Sequence, residues 1–94
     1  LAFKSLRLNM DKKTVSVDGE EIPFSKTEFE ILALLLREKG RVFSRQELIN
    51  RIWPRDVMVL DRTVDVNITR VRKKIKDYAH HIVTRLGYGY FFEA

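Results

Sequence analysis

Residues 62–75, RTVDVNITRVRKKI, hold the densest set of side chains able to recognise another molecule's surface. At about 100° per residue on a helix, Val64, Ile68, Val71 and Ile75 fall in one narrow stripe that must face a core. The opposite face then carries Arg62, Val66, Thr69, Arg70 and Lys73, with Asn67 and Arg72 on its flanks. A helix that is merely solvated alternates Glu and Lys for intrahelical pairs, and this one does not. Arg can donate two hydrogen bonds to a guanine edge, Asn can pair with adenine, and an outward Val or Thr methyl can meet the thymine methyl. Lys73, Lys74 and Lys76 suit phosphate, and Arg70 is the strongest candidate for a base contact, with Arg72, Lys73 and Thr84 as backbone contacts. Further along, Thr84-Arg85-Leu86-Gly87-Tyr88-Gly89-Tyr90 sets a cation and aromatics at a glycine-bearing turn, a shape able to reach a sugar-phosphate backbone or a minor groove. Tyr90, Phe91 and Phe92 are expected to pack inward.

Other chemistries find little support. His80 and His81 are adjacent and expected to diverge, and no Cys, paired carboxylates or third ligand accompanies them at metal spacing. Neither a phosphate-cradling glycine loop nor a Ser-His-Asp constellation can be assembled. The chain is therefore expected to be no enzyme and to need no cofactor or metal. RNA is a poorer partner than DNA, because the deep, narrow A-form major groove excludes a helix. The competing reading is a protein-interaction module without DNA readout, which requires a contiguous apolar patch on that outer face.

Ninety-four residues, 45% of them hydrophobic and 33% charged, suit a single domain spanning 1–94 with one core. The absence of Cys excludes a disulfide scaffold and fits a reducing compartment. No apolar run approaches the roughly 18 to 20 residues that span a bilayer, and LAFKSLRL is too short and charged for a signal peptide. A start at Leu1 rather than Met suggests a piece of a longer protein. The net charge is +5, and most of the excess lies between Asp61 and Arg85, where seven bases face three acids. A local excess of that kind is the footprint of an anion-binding surface.

The elements that must position these residues are punctuated in the sequence. Phe3, Leu6, Leu8, Val15, Val17, Ile22 and Phe24 alternate as short antiparallel strands, with Asp18-Gly19 closing a tight hairpin. Ser25 and Glu28 form a capping box and Phe24 and Phe29 a hydrophobic staple, so a helix starts at Lys26 and stops near Gly40. The same signature recurs at Phe43-Ser44-Arg45-Gln46-Glu47-Leu48, opening a short helix that Pro54 ends. A loop from Pro54 to Leu60 leads to a third helix from Asp61 or Arg62 to about Tyr78. Ile82 to Thr84 and Tyr90 to Glu93 form a closing hairpin. The fold class is α+β: an N-terminal antiparallel β-sheet, three α-helices and a C-terminal β-hairpin, a helix-turn-helix variant with a long loop.

This pattern resembles the winged-helix effector domains of the OmpR/PhoB class of bacterial two-component response regulators. FSKTEFEILALLL at 24–36, GRVFSRQEL at 40–48, Trp53, RTVDVNITRVRKKI at 62–75 and IVTRLGYGYFF at 82–92 carry it, in order and at family spacing. The resemblance implies a cytoplasmic bacterial transcription factor, with the third helix in the major groove and the wing at the minor groove. Promoter DNA would be bound by tandem head-to-tail copies on a direct repeat. A receiver domain outside this chain, phosphorylated on Asp by a sensor histidine kinase, would control it. Residue by residue, it assigns DNA contacts to Arg62, Thr63, Val66, Asn67, Thr69, Arg70, Arg72 and Lys73; the candidates in the wing are Thr84, Arg85 and Tyr88. The loop from Trp53 to Leu60 corresponds to a segment that contacts RNA polymerase. Val57 and Leu60 are expected to pack under the third helix, leaving Arg55, Asp56 and Met58 to face the partner. Two positions depart from the pattern: Asn67 stands where histidine is usual, and Leu86 stands where the wing arginine is usual, with Arg85 one place earlier. One residue on a strand is a change of face. Either the wing turns so that Arg85 still reaches DNA, or Tyr88 and backbone contacts take over.

Overall fold

The computed structural model describes residues 1–94. The N-terminal alternation becomes four antiparallel strands hydrogen-bonded in chain order: β1 (Ala2–Phe3), β2 (Leu6–Asn9), β3 (Thr14–Val17) and β4 (Glu20–Ile22). Leu6 and Leu8 lie opposite Val17 and Val15 and all four are buried, while Arg7 and Ser16 pair on the outer face. Period-2 patterning thus gives the sheet one apolar face. Asp18 and Gly19 both take positive φ, 53° and 82°, as a two-residue primed turn requires. Phe24 lies outside the strands and packs against the core from the entry to the next element.

Helix α1 (Lys26–Arg37) starts where its capping box places it. Ser25 Oγ accepts from the Glu28 amide at 3.1 Å and Glu28 Oε1 accepts from the Ser25 amide at 2.9 Å. Phe29, Ile31, Leu32, Leu34, Leu35 and Leu36 are buried, which makes α1 the spine of the core. Helix α2 (Arg45–Ile52) repeats the device through Ser44 and Glu47, at 3.0 and 3.1 Å.

Helix α3 (Asp61–Lys74) is shorter than its periodicity predicts. Ile75 ends it, Lys76 turns left-handed at φ 56°, and Lys76–His81 continue as a 3-10 segment instead of reaching Tyr78 as α-helix. The change of direction brings Tyr78 to the N-terminal sheet, where its hydroxyl accepts from the Ser5 amide at 3.0 Å and its ring meets Phe3 edge-on. Val64, Ile68, Val71 and Ile75 are fully buried, as their stripe requires.

The chain closes with β5 (Ile82–Arg85) and β6 (Gly89–Phe92). The outer side of β6 is paired as well: the amide and carbonyl of Phe43 bond those of Tyr90 at 2.8 and 2.9 Å, and the Gly40 amide donates to Phe92 O at 2.9 Å. The hairpin is thereby fastened to the connector between α1 and α2.

Glu28 is the one charged residue buried in this core. Lys74 Nζ, from the last turn of α3, lies 2.5 Å from its Oε1. Burial pushes the Glu28 carboxyl up, but the Lys74 hydrogen bond and the Ser25 contacts outweigh it and hold the pKa below the ordinary 4.5. A depressed folded-state pKa gives stability that is fully present above the unfolded value and lost as pH falls through the folded one. Glu28→Gln is expected to cost about 2 kcal/mol at neutral pH, since it removes a charge-assisted bond and strands Lys74. Urea denaturation midpoints would check this: the gap between wild type and variant should narrow as pH drops below the carboxylate range.

Candidate nucleic-acid interface

The outward face of α3 exposes Arg62, Val66, Thr69, Arg70 and Lys73, with Thr63 half-buried at its border. Arg62, Arg70 and Lys73 form no ion pair with the rest of the protein. Thr69 Oγ1 donates to Asp65 O at 3.0 Å, which leaves its methyl and its two lone pairs uncommitted. The same face therefore holds uncommitted cations, a hydroxyl and an exposed valine within three turns of one rigid helix.

Three other bases near it are committed. Lys74 is held by Glu28, and Lys76 pairs with Glu20 at 2.9 Å in an exposed ion pair, so the two lysines expected on phosphate each have a protein partner. Arg72 donates from Nε and Nη2 to Ile82 O at 3.0 and 2.6 Å, and from Nη2 to Thr84 Oγ1 at 2.9 Å. Asn67, expected on the flank of the open face, is only 8% exposed, and its Nδ2 donates back to Thr63 O at 2.9 Å. Its position explains this: it follows Val64 by three and precedes Val71 by four, so it shares their side of the helix.

The wing is held to α3 by Arg72 at Ile82 and Thr84 and by Asp65 at Tyr90, and its tip faces Asp61 across a cleft. Arg85 and Gly89 are opposite each other, Tyr88 N donates to Arg85 O at 2.9 Å, and Gly87 takes φ 83° at the third position of the turn. This presents Leu86, 87% exposed, and Tyr88, 73% exposed, at the tip, while the Arg85 guanidinium lies 5.4 Å over the Phe91 ring. Thr84 and Arg85 are exposed; Tyr90, Phe91 and Phe92 are buried, as expected for packing residues. Between the tip, the first residues of α2 and Asp61 runs a cleft of about 320 Å³ lined by Ser44, Arg45, Gln46, Arg85 and Tyr88 among others.

One polar junction at the edge of this surface had no signal in the local sequence pattern. Asp65 Oδ1 accepts from Arg45 Nε of α2 at 2.8 Å and also from the Tyr90 hydroxyl of β6. The Arg45 hydrogen bond outweighs partial burial and keeps the Asp65 carboxyl below its usual range, while burial and then the bond to Asp65 push the Tyr90 phenol up. Two helices and the wing meet at one carboxylate oxygen.

The α2–α3 loop corrects another expectation. Val57 and Leu60 are 47% and 61% exposed instead of tucked under α3, and Met58 is 92% exposed, while Trp53 packs against the core. Leu60 is the N-cap residue of α3, in extended conformation, and contributes only its carbonyl to the first turn. Arg55 and Asp56 are exposed beside it.

His80 and His81 do not diverge. In the 3-10 segment their rings sit 4.2 Å apart, with His81 stacked on Phe92 and its Nδ1 2.6 Å from Glu93 O. No group of three His, Cys, Asp or Glu side chains is placed to hold a metal ion, and no helix is long and apolar enough to cross a membrane.

Residues 19–92 match the family described as transcriptional regulatory protein, C terminal. The sensory transduction protein RegX3 of Mycolicibacterium smegmatis is 41% identical over 91 residues, covering 94% of this chain and 40% of that protein. The chain thus spans about two fifths of that relative's length. Among solved structures, the Klebsiella pneumoniae RstA DNA-binding domain in complex with the RstA box superposes with a TM-score of 0.85 at 33% identity, covering 99% of this chain and 95% of that one. The Thermotoga maritima OmpR/PhoB homologue DrrB gives 0.89 at 35% identity, over all of this chain and 44% of that one.

Proposed function

The chain belongs to the C-terminal domains of transcriptional regulatory proteins, and from that membership we infer that it binds double-stranded promoter DNA sequence-specifically, as the output domain of a two-component response regulator. The observation that carries the reading is the face of α3, where Arg62, Arg70 and Lys73 stand without protein partners beside exposed Thr69 and Val66. Arg70 makes the principal base contact in the major groove, Val66 and Thr69 offer methyl groups to thymine, and Arg62, Thr63 and Lys73 hold phosphates. Thr84, Arg85 and Tyr88 bring the wing to the backbone or the minor groove. Asn67 orders the first turns of α3 from beneath.

The reading extends to partners. Two copies sit head to tail on a direct repeat with half-sites about one helical turn apart. The exposed loop bearing Arg55, Asp56 and Met58 meets RNA polymerase, and a receiver domain phosphorylated by a sensor histidine kinase governs the whole. The setting is the bacterial cytoplasm, and the domain, a single unit over 1–94, carries out no catalysis of its own.

Fluorescence anisotropy of the domain against a duplex selected from a random pool and a scrambled duplex, over a salt series, tests this. Tighter binding to the selected duplex, falling steeply with salt, is the expected result, and equal binding to both would overturn sequence-specific readout. Lys73→Ala is expected to weaken both duplexes alike and to lower the slope of log K against log salt by about one.

A further inference from the structure

Helix α3 grips the wing at two separate points. Asp65 takes the Tyr90 hydroxyl on β6, and Arg72, about 10 Å further along the axis, takes Ile82 O with two nitrogens and Thr84 Oγ1 with one of them on β5. The connector already holds the outer side of β6, and the two contacts from α3, one on each strand, set how the hairpin lies against the helix. The acceptors of Arg72 run from Ile82 at the wing's root to Thr84, which faces Tyr90 across the hairpin, and its guanidinium also lies 5.7 Å from the centre of the Tyr90 ring. A planar fork held in this way is preorganised in a manner a lysine cannot reproduce.

We propose that Arg72 is a positioning residue that locks the wing's angle against the recognition helix, so that helix and wing are presented to the two grooves of one site at a fixed offset. The proposal rests on the reading of α3 as the major-groove element and the wing as the minor-groove element. It removes Arg72 from the phosphate contacts that the sequence pattern assigns to it. Two of its nitrogens are already engaged with the protein, and a residue acting through the wing should affect where the wing lands, not how many counterions the complex releases.

Dimethyl sulfate protection separates the two grooves, because it reports guanine N7 in the major groove and adenine N3 in the minor groove. On the selected duplex, wild type is expected to protect both kinds of site. Arg72→Gln should keep guanine N7 protection under α3 and lose adenine N3 protection under the wing. Its preference at the wing's base pairs should fall to within about twofold, with the salt slope unchanged. Arg72→Lys, which keeps the charge but not the fork, should behave like Arg72→Gln. Thermal melts of each variant confirm that the fold is kept. Uniform weakening on all duplexes with the slope lowered by about one would overturn the proposal in favour of a phosphate contact. Full rescue by Arg72→Lys would overturn it too. If wild type itself protects no adenine N3, the groove assignment fails first and takes the proposal with it.

Discussion

Gly89→Ala is expected to destabilise the domain by about 3 kcal/mol or more, the largest single-residue effect on stability that we anticipate. A Cβ at this position would lie 1.9 Å from Phe43 O and 2.7 Å from Phe43 C, both backbone atoms of the connector. Its φ of 144° belongs to a region that side chains avoid, so the substitution meets strain even before the clash. Relief requires β6 to move off the connector, which breaks the paired bonds between Phe43 and Tyr90. Gly87→Ala, with open space around the new methyl and only a positive φ to bear, is expected to cost far less. Urea denaturation of the two variants side by side checks the claim; equal losses would show that the approach of Phe43 O does not matter.

The second large effect concerns binding. Arg70→Ala is expected to lose roughly 1 to 3 kcal/mol on the selected duplex and to relax the preference at one base pair. Arg70 is exposed on α3, pairs with no acid, and belongs to the face opposite the fully buried Ile68 and Val71. Competition binding against all four substitutions at each base pair gives the test. A loss of equal size on selected and scrambled duplexes would place Arg70 on phosphate instead.

Much of this architecture is legible in the order of residues because its determinants are local. Ser25 with Glu28 and Ser44 with Glu47 each satisfy orphan amides within one turn, so the starts of α1 and α2 are fixed by four adjacent residues. The buried stripe of α3 follows from 3.6-residue periodicity alone. The failures are of two kinds. Asn67 sits at a core spacing, yet its polar side chain suggests solvent, and only the reach of its amide to Thr63 O resolves the conflict. Val57 and Leu60 suggest burial by type, whereas an apolar residue in a loop is under no obligation to be covered. The site shows the same division. The exposed outer face of α3 was visible in the periodicity, but the commitments of Lys74 to Glu28 and Arg72 to Ile82 join residues 46 and 10 apart and carry no local mark. The junction of Arg45, Asp65 and Tyr90 is likewise assembled only by tertiary folding.

The pairing of the C-terminal hairpin bears on how the molecule tolerates its own kind. Exposed strand edges invite another chain to add to the ladder, a common route to aggregation and strand exchange. Here β6 is flanked on its outer side by the 40–43 connector, and on β5 the Ile82 carbonyl is taken by a guanidinium instead of being left for a neighbouring strand. The N-terminal sheet ends in strands of two and three residues, too short to template much pairing. Crowded against other copies of itself, the domain therefore leaves few backbone groups free to pair between chains, and each copy keeps its own ladder.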